Sequence, residues 1–287
     1  MDYISISSQG NAIDFGDSSD NYESQNVGAC ASNTRGMNAG GYSHPAHKND
    51  IGLTEIASTG SHADFGDLTV TRRGLESASS QTRGIFAVGL IIGTYYNTID
   101  YVTIASTGNA VDFGDATVTG ASGSGMSSPT RGVFSAGDPG VNAAAMFVTI
   151  ASLGNAQDFA DDYSPTNRYG SSTISNQTRG FVGGGVHPSP TTIVKYVSKF
   201  ELASGGTATR YSDLSTTTRS KNGAGSPTRG VFAGGRSPAD SDSSPSGPVN
   251  AIEYVSMQSE GSGVDFGDLT QARYEHNPMG NGHGGLG

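Results

Sequence analysis

Residues 82–115 read TRGIFAVGLIIGTYYNTIDYVTIASTGNAVDFGD, and this stretch holds the motifs that decide the fold. It contains a Thr-Arg-Gly triplet followed by apolar and small residues, a β-branched and aromatic run from Ile99 to Ile104, and an Asp-Phe-Gly-Asp motif. β-branched and aromatic residues favour strands, and glycine marks the turns between them. The stretch therefore predicts short strands joined by tight turns.

The same motifs recur at a fixed interval along the chain. The Thr-Arg-Gly triplet occurs at intervals of 48, 48, 48 and 50 residues, beginning at Thr34, Thr82, Thr130, Thr178 and Thr228. Asp-Phe-Gly-Asp, its alanine variant or a degenerate copy begins at Asp14, Asp64, Asp112, Asp158, Arg210 and Asp265. A sheet of four short strands cannot bury both of its faces alone, so neighbouring repeats have to cover them.

Closure into a ring covers the apolar faces that a linear stack of sheets would expose. We therefore expect an all-β fold, a six-bladed β-propeller of four-stranded antiparallel blades, with five or seven blades as alternatives. Residues 1–287 would form a single domain closed by N- and C-terminal strands. The last of these strands is degenerate, because the stretch from Gly282 to Gly287 lacks a Thr-Arg-Gly triplet.

Composition excludes several classes of partner. The formal net charge of −10 repels a phosphate backbone, so nucleic acid is not expected as a partner. No run approaches 18 consecutive apolar residues and the N-terminus has no basic and apolar leader, so we expect no membrane span and no signal peptide. Cys30 is the only cysteine, which excludes an intrachain disulfide and is typical of a buried small residue.

The repeat resembles a known family. A strand ending in Gly-Gly, a variable loop, a Tyr-bearing strand and a closing Leu-x-x-x-Arg, as in Leu269 to Arg273, together resemble a kelch repeat, with Phe at the usual Trp position. The Thr-Arg-Gly-Val-Phe-Ala-Gly-Gly at 228–235, combined with Asp-Phe-Gly-Asp, is similar to repeats of virion structural proteins of tailed, particularly aquatic, phages. This resemblance implies a virion decoration, tail or fibre-associated protein; a cytoplasmic or extracellular location is the alternative.

The motif residues of the repeat have a structural interpretation. Asp-Phe-Gly binds metal in protein kinases, but a catalytic residue is not needed once in every repeat. Arginine presents a fork of donors that matches a carboxylate, so we expect an Arg–Asp ladder; solvated turn residues are the alternative. The residues of this ladder are Arg35, Arg83, Arg131, Arg179 and Arg229 with Asp14, Asp64, Asp112, Asp158 and Asp265.

No cofactor is predicted. The pair in Asp240-Ser241-Asp242 is a candidate for Ca²⁺, although its proline-rich loop fits a solvated excursion equally well. His44-Pro45-Ala46-His47 lacks further zinc ligands nearby and is interpreted as a surface loop. The sequence also shows no Tyr and His set suited to the Cys–Tyr copper site of a kelch-type oxidase, so no catalytic residue is assigned.

Function in a propeller lies where the repeat breaks, because variable loops face outward from the blades. The variable loops follow the Gly-Gly strands, on one face: Tyr42 to Ile51, Leu90 to Thr98, Asp138 to Ala145, Val186 to Thr192 and Arg236 to Asn250. They carry residue types that anchor interfaces or stack on sugars. The candidate binding residues are Tyr42, His44, Tyr95, Tyr96, Asp138, His187 and Arg236.

These features predict a non-catalytic structural or binding module. Its partners would be other virion structural proteins or host surface glycans, with copies arranged by the symmetry of a larger particle. One alternative is a carbohydrate-active enzyme with its site in the axial depression, which would need charged residues that break the repeat near the axis. The other alternative is a cytoplasmic kelch-type adaptor.

Overall fold

The computed structural model describes residues 1–17, 27–135, 137, 145–160, 168, 170–188, 191–238, 245–275 and 278–280. Within these ranges the regular elements are all β-strands, paired antiparallel. No helix in this part of the chain is long and apolar enough to cross a membrane. The expectation of an all-β fold is therefore confirmed.

The described residues form a β-propeller with five four-stranded blades. In each blade the strands follow one another from the axis outward, and the first strands of successive blades lie side by side around the axis. Their bounds are β3 (Gly28–Ala31), β4 (Arg35–Ala39), β7 (Asp50–Glu55) and β8 (Ala63–Asp67) in blade 1; β9 (Glu76–Ser79), β10 (Arg83–Ile91), β11 (Thr94–Thr103) and β12 (Val111–Gly120) in blade 2; β13 (Ser124–Ser127), β14 (Arg131–Ser135), β15 (Ala145–Thr149) and β16 (Gln157–Ala160) in blade 3; β17 (Ser172–Ser175), β18 (Arg179–Gly183), β21 (Tyr196–Glu201) and β22 (Thr209–Asp213) in blade 4; and β23 (Asn222–Gly225), β24 (Arg229–Ala233), β27 (Ala251–Ser256) and β28 (Val264–Asp268) in blade 5.

Short two-stranded sheets complete the architecture. Three of them are hairpins between the second and third strands of blades 1, 4 and 5, and the fourth lies at the N-terminus and is called the terminal sheet. Their strands are β1 (Asp2–Tyr3) with β2 (Ile13–Asp14), β5 (Tyr42–Ser43) with β6 (Ala46–His47), β19 (Val186–Pro188) with β20 (Thr191–Ile193), and β25 (Arg236–Pro238) with β26 (Pro245–Pro248).

The apolar faces of each blade are buried against the neighbouring blades. Cys30 and Met37 of blade 1 share one core cluster with Phe86 and Val102 of blade 2, and Phe86 is completely buried. Cys30 is buried, as predicted, and this burial raises the pKa of its thiol. Each sheet thus shields the next, as the repeat pattern predicts.

The Thr-Arg-Gly arginine reaches across to the next blade. Arg35 Nη1 donates to the carbonyls of Ile104 (3.0 Å) and Ala105 (2.9 Å). The other four arginines donate in the same way, Arg83 to Ile150, Arg131 to Leu202 and Ala203, Arg179 to Met257, and Arg229 to Ile6 and Ser7. Arg35 and Arg179 also pair with Glu55 and Glu201, and no Arg–Asp pair of the predicted ladder occurs among the contacts of the described residues, so the ladder is not confirmed. The first aspartates of the motifs are exposed, at Asp14, Asp64, Asp112, Asp158 and Asp265.

Asp-Phe-Gly-Asp supplies a second joint between blades. The Gly108 amide of blade 2 donates to the Phe65 carbonyl of blade 1 at 2.8 Å, and the Ala110 amide donates to the Asp67 carbonyl at 2.7 Å. Gly66, between these acceptors, has φ 149°, and a Cβ there would collide with the Gly108 carbonyl. The motif therefore needs its glycine because two main chains approach closely.

The terminal sheet lies between blades 5 and 1 and closes the ring. The Gly10 amide donates to Phe266 of blade 5 at 2.9 Å, and the Gly60 amide of blade 1 donates to Phe15 at 3.0 Å. These bonds repeat the joint between blades 1 and 2. The prediction of six four-stranded blades is not confirmed, because the described residues supply only two paired strands at this position.

Candidate functional site

The hairpins between the second and third strands project from one end of the blades, here called the loop face. Tyr42 and His44 lie in or beside the blade 1 hairpin, where the Tyr42 ring packs against His47 at 4.9 Å and the Arg73 guanidinium at 5.2 Å. His44 is exposed, and its ring lies 6.2 Å from that of Tyr42. The Tyr42 ring is therefore partly covered by its neighbours, whereas the His44 side chain is exposed to solvent.

The other predicted binding residues are spread around this face. Tyr95 and Tyr96 lie half-buried in the long β10–β11 hairpin of blade 2, opposite Leu90 and Gly89. The remaining predicted residues lie on blades 4 and 5, at His187 in β19 and Arg236 in β25, and Asp138 lies outside the described residues. The structure thus places Tyr42 beside His44 and leaves the others on separate blades.

The first strands of the blades surround an axial cavity of about 680 Å³. Small residues line most of it because the strands approach closely at the axis: a Cβ at Gly125 would collide with the Ser77 carbonyl, and one at Gly225 would approach the Ser175 carbonyl. At the loop face the lining changes to charged and aromatic side chains. This end of the cavity, lined by Arg219, Arg236, Tyr274 and Glu275, is called the channel mouth.

Two arginines face each other at the channel mouth. The Arg219 amide donates to the Arg236 carbonyl at 3.1 Å and the Arg236 amide donates back at 2.8 Å, so the residues form an isolated antiparallel bridge. The corresponding bridge between blades 1 and 2 joins Arg73 to Leu90. Like charges directly opposite on paired strands are destabilising, so the second arginine breaks the repeat at a cost in stability.

Glu275 is held at the channel mouth by a recurring backbone turn. Its amide donates to the Ser220 carbonyl at 3.1 Å, as Ser220 donates to Gly170 and Ser122 donates to Gly74. All five of these residues have φ between 53° and 71°, the left-handed region that glycine prefers. Glu275 therefore occupies a position at which the other repeats have glycine or serine. The ring of the preceding residue, Tyr274, lies 5.3 Å from the Arg236 guanidinium.

The electrostatics of the mouth are mixed. Burial raises the pKa of Glu275, and the nearby Arg236, Arg219 and Arg73 lower it in part. Arg236 Nε is buried and has no hydrogen-bond partner among the described residues. Three guanidinium groups therefore lie near the single carboxylate of Glu275. The channel mouth thus has an excess of positive charge, although the protein as a whole is acidic.

Two further buried carboxylates are Glu253, on the third strand of blade 5, and Glu76, on the first strand of blade 2. Glu253 pairs with Lys221, and the Thr216 hydroxyl donates to Glu253 at 2.8 Å. Lys221 and these hydrogen bonds outweigh burial, so the pKa of Glu253 is lowered. Glu76 lines the cavity beside the backbone amides of Gly123 and Ser135, but burial outweighs these amides and raises the pKa of Glu76 well above the usual range. Unlike Glu253, Glu76 forms no ion pair with a cationic side chain among the described residues.

No group of three or more metal-ligating side chains occurs among the described residues. The candidate calcium pair of Asp240 and Asp242 lies outside them. His44 and His47 sit on either side of the β5–β6 turn, where Tyr42 packs between their rings.

Sequence reasoning identified Arg236 but missed its three neighbours at the channel mouth. In the sequence, Arg219 resembles the ordinary closing arginine of a repeat. Its pairing with Arg236 depends on the register of a hairpin, which the amino-acid sequence does not specify. Tyr274 and Glu275 follow the last Leu-x-x-x-Arg and could have been found by aligning that segment with Arg73 and Gly74.

A comparison of the chain with protein-family models finds no match. A comparison with curated protein sequences also finds no similar protein.

Proposed function

We propose that this protein is a non-catalytic binding module whose loop face contacts an anionic partner at the channel mouth. The observation that carries the proposal is the Arg219–Arg236 bridge beside Tyr274 and Glu275. Two opposed guanidinium groups repel each other in the free protein, and a bound carboxylate would relieve that repulsion through bidentate hydrogen bonds. The destabilising arrangement is thereby explained by a ligand.

Host surface glycans that carry carboxylate groups are the ligands that suit this chemistry best. The guanidinium groups would take the carboxylate, and the exposed Tyr274 ring offers an apolar surface for a sugar ring. The exposed His44 and the other loop-face residues would add contacts around the mouth, including contacts with neighbouring structural proteins.

The proposed setting is a virion, as a decoration, tail or fibre-associated component. Support for this setting comes from the resemblance of the Thr-Arg-Gly and Asp-Phe-Gly-Asp repeat to phage structural proteins. We also propose that the repeat is kelch-like and that the terminal sheet is the outer half of a sixth blade, which the repeated joints at Gly10 and Gly60 support.

A carbohydrate-active enzyme is the second candidate function, and one observation favours it. Glu76 and Glu275 both line the axial cavity, and burial raises the pKa of each. A carboxyl group kept protonated near neutral pH can act as a general acid in glycoside cleavage. Release of reducing sugar from a bound glycan would favour this function over simple binding.

A glycan-binding experiment tests the proposal. Immobilised neutral and carboxylated oligosaccharides are incubated with the protein and with an R219A/R236A double variant. We expect retention on the carboxylated set only, weakened at least about tenfold in the double variant because two charge-assisted contacts are lost.

The matched control is Arg210→Ala, which removes one exposed guanidinium from the outer edge of blade 4. This variant should bind as the parent protein does. Equal losses in the control and the double variant, or no retention of the parent protein on any carboxylated glycan, would refute the proposed site.

A further inference from the structure

Blade 5 contains a buried lysine–glutamate pair that has no part in the proposed binding function. Lys221 directly precedes β23, the innermost strand, and Glu253 lies in β27, the third strand. The two side chains are 2% and 3% exposed, and the Lys221 Nζ donates to the Glu253 Oε1. A buried ion pair has lost the hydration of both charges, so a reaction that removes the charges and keeps the contact would relieve this cost.

The pair departs from the corresponding network of blade 2. There the cation is Arg72, which reaches Asp100 from the connection between blades 1 and 2. Asp100 lies opposite Asp112 as Glu253 lies opposite Asp265, so the two acids occupy equivalent positions. In blade 5 the acid has the longer side chain and its cation is a lysine. A guanidinium stays charged in proteins, whereas a buried lysine amine can lose its proton and act as a nucleophile.

Ser215 holds one oxygen of the Glu253 carboxylate. Its amide donates to Glu253 Oε2 at 2.5 Å, and its hydroxyl donates to the same oxygen at 2.6 Å. In blade 2 the amide and the hydroxyl of Thr69 bond to different oxygens of Asp100. Two donors on one oxygen stabilise the negative charge that develops there when a nucleophile adds to the carboxyl carbon. Ser215 therefore forms a small oxyanion hole at Oε2.

Thr216 connects the lysine amine to the other carboxylate oxygen. The Lys221 Nζ donates to the Thr216 Oγ1 at 2.7 Å, and the Thr216 hydroxyl donates to the Glu253 Oε1 at 2.8 Å. Because this hydroxyl accepts one hydrogen bond and donates another, it can pass a proton from Nζ to Oε1. The residue that follows Thr69 in blade 2 is Val70. Blade 5 therefore has a proton relay at a position where blade 2 has a hydrocarbon side chain.

The electrostatics of the pair allow the proton to move. Burial lowers the pKa of Lys221, and Glu253 opposes this shift only in part. Burial acts to raise the pKa of Glu253, and the charge of Lys221 is the largest of the interactions that lower it. Transfer of one proton from Lys221 to Glu253 therefore removes both charges together and leaves a neutral amine beside a neutral carboxyl group.

We propose that Lys221 and Glu253 condense into an intrachain amide bond. The Nζ lone pair adds to the Glu253 Cδ and forms the new bond, and the Cδ–Oε1 bond breaks with its electron pair on Oε1. Nζ gives up two protons, one through Thr216 and one along its own hydrogen bond to Oε1, and both leave with Oε1 as one water molecule. Oε2 becomes the amide oxygen and keeps its two donors from Ser215. The condensation consumes no other reactant.

Position and burial both favour the amide. In water, condensation of an amine with a carboxylate is opposed by hydrolysis. A nucleophile fixed against its target behaves as if it were present at about 10⁵–10⁸ M, which offsets this opposition. The product is neutral, so it does not carry the desolvation cost of the ion pair, and the site is shielded from solvent.

The cross-link ties the innermost strand of blade 5 to the third strand. β24 lies between β23 and β27 in the sheet, and the loop-face hairpin that carries Arg236 lies between the two linked residues in the chain. A covalent loop restricts the unfolded chain, as a disulfide does. The amide thus stabilises blade 5 in a chain whose single cysteine excludes an intrachain disulfide.

Intact mass spectrometry of the denatured full-length protein tests the bond. We expect a mass below that of the sequence by one water molecule. Trypsin cleaves after arginine and unmodified lysine, so the digest should contain residues 220–229 joined to residues 237–273, with no cleavage after Lys221. The full sequence mass, together with cleavage after Lys221, would show an ion pair only and would overturn the proposal.

Lys221→Arg locates the loss of water. Arginine keeps the positive charge beside Glu253, but its guanidinium stays protonated and is a poor nucleophile, so this variant should have its full sequence mass. A loss of water that persists in Lys221→Arg would come from another site and would refute the bond. The mass and digest of the parent protein are decisive even where a variant does not fold.

Thr216→Val tests the relay, because it removes the hydroxyl and leaves the amine and the acid in place. We expect the cross-linked fraction to form at least about tenfold more slowly, measured by intact mass at fixed times after synthesis. Thr217→Val is the matched control, since it makes the same change at a half-buried neighbour, and it should cross-link as the parent does. Equal rates in the two threonine variants would exclude Thr216 as the relay.

Discussion

Blade 2 and the terminal sheet contain the same hydrogen-bonded network in different surroundings. In blade 2, Arg72 pairs with Asp100 at 2.9 Å and the Thr69 hydroxyl donates to Asp100 at 2.5 Å. At the terminal sheet, Arg273 pairs with Asp2 at 3.1 Å and the Thr270 hydroxyl donates to Asp2 at 2.7 Å. The arginine and aspartate side chains are 0% exposed in blade 2, but 29% and 7% exposed at the terminal sheet.

The difference shows what a second strand contributes to a blade. β10 supplies two carbonyls to Arg72 and covers the pair with Phe86 and Val88, both completely buried. Desolvation lowers the pKa of Arg72 while Asp100 raises it, as expected for an ion pair removed from water. Arg273 and Asp2 join the two ends of the ring with the same side chains but remain partly hydrated. The Arg72–Asp100 network is therefore part of the buried core of blade 2. The Arg273–Asp2 network remains a partly hydrated contact between blade 5 and the terminal sheet.

The largest expected effect is the loss of one partner from the buried pair. Arg72→Ala leaves Asp100 charged and buried, so the free energy of unfolding should fall by about 3–5 kcal/mol. Arg273→Ala removes a partly hydrated pair and should cost about 0.5–1 kcal/mol. Urea unfolding followed by far-UV circular dichroism measures both, with Arg210→Ala as an exposed control. Equal losses at Arg72 and Arg273 would show that the second strand does not set the strength of the pair.

The second comparison concerns the glycines of the Asp-Phe-Gly-Asp joints. Gly114 joins blade 2 to blade 3 and Gly267 joins blade 5 to the terminal sheet, with φ of 144° and 149°. A Cβ at either position would collide with main chain of the next unit, at Gly154 or Gly10. Gly114→Ala should cost about 1–3 kcal/mol. Gly267→Ala should cost less, because a two-stranded sheet can shift more easily than a packed blade.

Thermal unfolding of these variants tests the rigidity of the two joints. Gly60→Ala is the matched control, since a Cβ there meets nothing within 4 Å. It should leave the midpoint unchanged within the error of the measurement. A larger loss for Gly267→Ala than for Gly114→Ala would mean that the terminal joint is the more rigid of the two.

The sequence predicts the strands of the blades well because each repeat contains the residue types that favour strands and the glycines that favour turns. The interval between Thr-Arg-Gly triplets and the apolar run at Ile85 and Phe86 are sufficient to place the second strands, and closure follows from the need to cover each sheet. The partners of the Thr-Arg-Gly arginines could not be predicted, because main-chain carbonyls such as those of Ile104 and Ala105 have no sequence signature.

The candidate sites are harder to predict because they depend on register between distant segments. Arg219 and Arg236 are opposed only once the connection between blades 4 and 5 is folded against a hairpin. The repeat interval alone does not identify Met279 as an inner-strand residue, because Met279 lies 55 residues after Ala224, whereas Ile174 lies 48 residues after Met126. The exposure of the Arg273–Asp2 pair could not be predicted either, because among the described residues β1 is paired on one edge only, which the repeat does not specify.

The smallest expected effect concerns the acidic groups of the two regions and their pH dependence. Burial raises the pKa of Glu76 in blade 2 well above its usual range, with only partial relief from the amides of Gly123 and Ser135. A carboxyl group whose pKa is raised on folding favours the folded state most below its unfolded pKa of about 4.3, and this contribution is lost as the pH rises toward the folded value. Glu76→Gln removes the titration, so it should stabilise the protein by about 1 kcal/mol at pH 7 and by progressively less toward pH 4.

Glu275→Gln provides the counterpart at the channel mouth. Its pKa is also raised by burial, but three arginines oppose the shift, so the gain in stability at pH 7 should be smaller than for Glu76→Gln. The gain should be unchanged in the R219A/R236A background only if those two arginines do not act on Glu275. If they do act, removing them exposes the full cost of burying Glu275, and Glu275→Gln then becomes more stabilising. Unfolding free energies at pH 4, 5.5 and 7 distinguish these outcomes. The four proteins to be measured are the parent, Glu275→Gln, R219A/R236A and the combined triple variant. A pH-independent difference for Glu76→Gln would mean that Glu76 is not protonated on folding and that its carboxylate has a partner at the axis.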